Sequence, residues 1–139
     1  MKKISLPFVV SLILLVLFSG CSKNNTLNTS LDNETKLAIG QTAKISSEDL
    51  SIRLTDVTND SRCAQGVTCI WAGEVKCQLS ITLGTTTESY TFIVSGAGDK
   101  TGQVYQGYKL VANVTPYPKQ GVTISPDDYR MILTVGKVP

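Results

Sequence analysis

Leu50, Ile52 and Leu54 alternate with Ser51, Arg53 and Thr55, and further on Val75, Cys77, Leu79, Ile81 and Leu83 alternate with Lys76, Gln78, Ser80 and Thr82. A two-residue period of this kind puts all apolar side chains on one face of a strand. Tyr90 to Val94 is rich in β-formers, Tyr108, Leu110, Ala112 and Val114 alternate again, and Met131, Leu133 and Val135 form a last apolar row. Ala43 to Ile45 and Val122 to Ile124 are shorter candidates. Turn signals separate these runs: Gly84, Gly96-Ala97-Gly98-Asp99, Gly107, Pro116-Tyr117-Pro118 and Gly121. From Leu37 onward no stretch carries a helical period. Six to eight short strands, each with one apolar face, must bury that face against a second sheet. The expected fold is all-β, a small antiparallel β-sandwich of Greek-key type spanning residues 37–139, with a β-barrel as the alternative. Tyr129, which opens the last strand after Ser125-Pro126-Asp127-Asp128, is a candidate to bond back across its own turn, as in the tyrosine corner of such sandwiches.

The N-terminus follows another pattern. Lys2 and Lys3 precede an apolar run from Ile4 to Phe18, which ends in Ser19-Gly20-Cys21. This basic, apolar, small order is that of a secretory signal, and the run is too short for a spanning helix, which needs about 20 residues. Residues 1–20 are read as a signal helix that is removed. Cys21 directly after Ser-Gly resembles the lipobox of prokaryotic lipoproteins, although Phe18 stands where that family has Leu, Val or Ile. The resemblance implies that Cys21 is lipidated and becomes the new N-terminus. The domain is then extracytoplasmic and membrane-anchored, with the outer membrane as its destination if the cell is diderm. Residues 21–36, CSKNNTLNTSLDNETK, have apolar side chains only at Leu27 and Leu31 and are expected to be a flexible tether.

Composition mostly excludes. The chain has 139 residues and no histidine, which removes the commonest general base, the Ser-His and Cys-His nucleophile pairs and every histidine-containing zinc site. No Gly-x-Ser-x-Gly or Ser-x-x-Lys occurs, and Gly96 to Gly102 lacks the spacing of a phosphate loop. No cofactor and no metal are expected; Asp56, Asn59 and Asp60, or Asp127 with Asp128, lack calcium-loop spacing. The 13 basic residues stand against 11 acidic ones, and loss of Lys2 and Lys3 brings the two to balance. Without a basic run there is no footprint for nucleic acid.

Candidate chemistry gathers in the connection Asp56 to Gly73, DVTNDSRCAQGVTCIWAG, whose irregular part is long for a compact domain. Cys63 and Cys69 flank Gly66 and, in an oxidising compartment, are expected to form a local disulfide. Cys77 falls on the apolar face of its strand and reads as a buried free thiol. Arg62, Ile70 and Trp71 are the candidate binding residues, either displayed by the closed loop or, alternatively, with Trp71 folded inward and Arg62 paired with Asp60 or another acid.

Asp60-Ser61-Arg62-Cys63 followed by Cys69-Ile70-Trp71-Ala72-Gly73 resembles a signature of uncharacterised secreted and lipoprotein domains of prokaryotes, in which Pro usually stands at the position of Ala64. The resemblance implies a fold and an address, not a reaction. Two functions are weighed on these grounds. The first is a binding or structural module, anchored to the membrane by its lipid, that meets a protein or glycan of the envelope and has no catalytic residues. The second is a glycan-acting enzyme that uses two carboxylates drawn from Asp56, Asp60, Glu74, Asp127 and Asp128.

Overall fold

The computed structural model describes residues 25–98 and 100–139. The expected signal segment, Cys21 and the first residues of the expected tether lie outside them. Nine strands follow in chain order: β1 (Thr26–Thr29), β2 (Glu34–Ala38), β3 (Thr42–Ile45), β4 (Leu50–Thr58), β5 (Glu74–Leu83), β6 (Thr86–Ser95), β7 (Thr101–Tyr105), β8 (Tyr108–Thr115) and β9 (Arg130–Lys137). They form a five-stranded sheet of order β1-β3-β4-β5-β6 and a four-stranded sheet of order β2-β9-β8-β7. The two sheets pack face to face as a small β-sandwich, and no closed barrel forms.

The alternation read from the sequence becomes the core. Ile52 lies opposite Ile81, Leu54 opposite Leu79 and Cys77 opposite Phe92 in one sheet, and Leu110 lies opposite Val135 and Ala112 opposite Leu133 in the other. All of them are buried in one continuous cluster. In β4 the register slips between Leu54 and Asp56. A bulge inserts one residue and so exchanges the two faces of the strand. Beyond it the odd position Val57 packs toward the core opposite Cys77, and Asp56 turns outward.

Three expectations are corrected. The segment expected to be a leash is largely structured: β1 pairs with β3 and β2 pairs with β9, so residues 26–29 and 34–36 belong to the sheets. Its Thr and Asn side chains suit edge strands, which need only one neighbour and little buried area. The inward Leu37 and Thr35 cover the core, and the Thr35 hydroxyl donates to Thr29 Oγ1 at 2.8 Å across the two sheets. Pairing is also not wholly antiparallel, because β1 runs parallel to β3. Val122 to Ile124 is not a strand; it lies in the connection between β8 and β9, while β7, too polar to show alternation, is one.

Candidate functional site

The strand registers bring several connections to one end of the sandwich. β4 and β8 finish there, and β5 and β9 start there, so residues 59–73 and 116–129 lie side by side, with the β6–β7 turn beside them. Cys63 and Cys69 are joined in a disulfide, with Cα atoms 5.9 Å apart. The loop it closes is pinned to its neighbour by main-chain bonds: Gln65 N–H donates to Pro118 O at 2.9 Å and Gln120 N–H to Gln65 O at 3.1 Å. Two glycines permit close approach at the base of the loop. A methyl group at Gly73 would overlap the Ser61 carbonyl, and one at Gly96 would overlap the Ala72 carbonyl.

Beneath the loop sits Arg62, which is buried and does not belong to the displayed surface. Its guanidinium grips Asp60 in two places, Nε to Oδ1 at 2.8 Å and Nη2 to Oδ2 at 2.6 Å. It also donates to the carbonyls of Val114 at 2.6 Å and Pro116 at 3.0 Å and lies 5.0 Å over the Tyr117 ring. Tyr117 in turn donates to Gly96 O at 2.6 Å. Arginine supplies a planar fork of donors that lysine cannot, and here every arm has an acceptor. Of the two sequence alternatives for this residue, pairing with Asp60 is the one observed.

Tyr129 completes the cluster by donating to Asp60 Oδ2 at 3.0 Å, and so bonds to another loop instead of its own turn. Burial pushes the Asp60 carboxyl up, but the hydrogen bonds and charge of Arg62, with help from Tyr129, outweigh it and hold the group below its ordinary range. Burial, then the bond to the Asp60 carboxylate and its charge, pushes the Tyr129 phenol up to about 12. Cys77 is a buried free thiol. Its pKa is pushed up to about 12 by burial, so it holds almost no thiolate at neutral pH.

Above this base apolar side chains stand exposed among polar ones. Ile70 is fully exposed and Trp71 is 67% exposed, so the tryptophan is displayed and not folded inward. Val67 and Val122 are exposed as well. Sequence reasoning did not assign those two valines to the site, nor Tyr117 and Gly96. Pro-Tyr-Pro and Gly-Ala-Gly read only as turns, since their partners are far away in the chain. Beside the loop a shallow depression of about 250 Å³ is lined by Asp60, Pro118, Val122, Thr123, Ile124 and Tyr129.

Of the five carboxylates considered for catalysis, Asp60 is held by Arg62 and Tyr129. Glu74 pairs with Lys76 at 3.4 Å, Asp56 accepts from the Val57 amide at 2.8 Å, and Asp127 and Asp128 are exposed on a 3-10 turn, Pro126–Asp128. Among the described residues no group of three or more His, Cys, Asp or Glu is gathered to hold a metal ion. Compared with models of known families, with curated proteins and with solved structures, the chain finds no match.

Proposed function

We propose that the chain is a lipid-anchored, extracytoplasmic β-sandwich module of the cell envelope that works by presenting a rigid binding end, not by catalysis. The observation that carries this reading is the layered end of the sandwich. A buried Arg62–Asp60 pair and a disulfide hold the loop, and Ile70 and Trp71 stand outside it with no intramolecular role in the core. The main chain of the loop is already fixed in folding, so a partner meets a preorganised loop. The address is supported by the signal pattern, by Cys21 after Ser19-Gly20, and by a disulfide that suits an oxidising compartment.

The test is photo-crosslinking in the native cell from a reactive residue placed at Val67, next to the displayed side chains. Adducts with protein, glycan or lipid of the envelope are expected, and their yield should fall in Trp71→Ser. A loop that crosslinks to nothing while the protein is folded and exported refutes the reading.

A further inference from the structure

The chain's own geometry says what lies opposite the displayed loop. β1 runs parallel to β3, and β3 is antiparallel to β4, which ends at the disulfide-loop end. Both β1 and β3 therefore run away from that end, and the chain preceding Asn25 enters the fold from its side. Asn25 is already in place, its carbonyl accepting from Thr42 N–H at 2.8 Å. Thr42 lies level with Thr26 and Arg53, and from there to the end of β4 at Thr58 the partner strand advances four residues, Ser80 to Lys76, which is about 13 Å at strand spacing, so Asn25, one step nearer, is about 10 Å short. The four residue steps from Cys21 to Asn25 span at most about 14 Å. An anchor at Cys21 can thus reach a few ångströms past the strand ends and cannot pass far beyond the loops that project from them.

The chemistry of those loops fits such a position. Cys63 to Gly73 contains no Asp, Glu, Lys or Arg, and neither does Gln120 to Pro126; the exposed Asp127 and Asp128 follow where the second loop returns to β9. Charged side chains are what a bilayer interior penalises most, whereas tryptophan is favoured at the headgroup level and isoleucine just below it. Lys119, on the neighbouring loop, is exposed and long enough to reach lipid phosphates. A side-on pose would instead lay the polar edge strand Thr26-Leu27-Asn28-Thr29 on lipid.

We propose that the disulfide-closed end docks on the same bilayer that holds the lipid of Cys21, with Ile70 and Trp71 seated at the boundary between headgroups and acyl chains. This rests on the lipid-anchored reading above and names the occupant of its binding end. The sandwich then stands end-on, held at two points.

Trp71 is the chain's single tryptophan, so its emission reports this contact directly. The mature chain, purified from membranes, is reconstituted into vesicles of phosphatidylethanolamine and phosphatidylglycerol, with and without brominated acyl chains, and the mass of its N-terminal peptide is measured. The expected result is an acylated Cys21, blue-shifted emission protected from acrylamide, and loss of emission to the brominated lipid, as for rings at interfacial depth. If Cys21 is acylated but Trp71 stays open to acrylamide and blind to bromine, docking is overturned, and the end is left free for an aqueous partner. If Cys21 carries no lipid, docking and the anchored reading fall together.

Discussion

Arg62 is the residue on which the proposed binding end depends. A guanidinium taken out of water is tolerated only while its partners remain, and here they are one carboxylate, two carbonyls and an aromatic face. Replacing it with alanine leaves the half-buried Asp60 carboxylate without its charge partner. Arg62→Ala should cost about 3–5 kcal/mol of stability, read from urea unfolding. The pair also fixes a pH dependence. Because the folded Asp60 carboxyl lies below its ordinary value, its contribution is fully present above the unfolded value of about 3.9 and is lost as pH falls below that. Stability should therefore drop on acidification below about pH 4, and the slope should flatten in Asp60→Asn. The pairing with Asp60 was one of the sequence alternatives, but the burial was not legible: an arginine between a serine and a cysteine in a loop looks like surface, and only the distant Val114, Pro116 and Tyr117 make it core.

At the scale of elements, the disulfide and the ion pair hold different parts of the same loop. The disulfide closes the tip over a separation of six residues, and the ion pair holds the base. Replacing both Cys63 and Cys69 with serine should cost about 2 kcal/mol by the loop-entropy estimate, with the fold intact and faster amide exchange confined to residues 64–70. The central strands were legible because their apolar faces are complete: Val75 to Ile81 and Leu110 to Val114 alternate without a break. β1, β2 and β7 were not. Edge strands pack on one side only, and their Thr, Asn, Gln and Gly residues carry the composition of linkers. Val122 to Ile124 misled in the opposite direction, since its apolar residues serve the surface and not a sheet.

For the molecule as a whole, the correction at the N-terminus moves the domain boundary. A chain beginning at Leu37 loses β1 and most of β2, and with them one edge of each sheet and the bond between Thr35 and Thr29. It should aggregate or fail to give a cooperative thermal transition by circular dichroism, whereas a chain beginning at Asn25 should unfold as one unit. The sandwich was legible as a class, but its attachment was not, because a polar segment next to a signal reads as a spacer until its pairing partners are known. In this fold the spacer is part of the body. β1 is also the strand through which any tension from the N-terminus must pass. Its four residue pairs with β3 lie side by side along the direction of pull, so a drag on the domain loads their hydrogen bonds together in shear instead of opening them one at a time from an end. With the lipid anchor proposed at Cys21, the attachment is a mechanical coupling as well as a covalent one, and it yields late under strain.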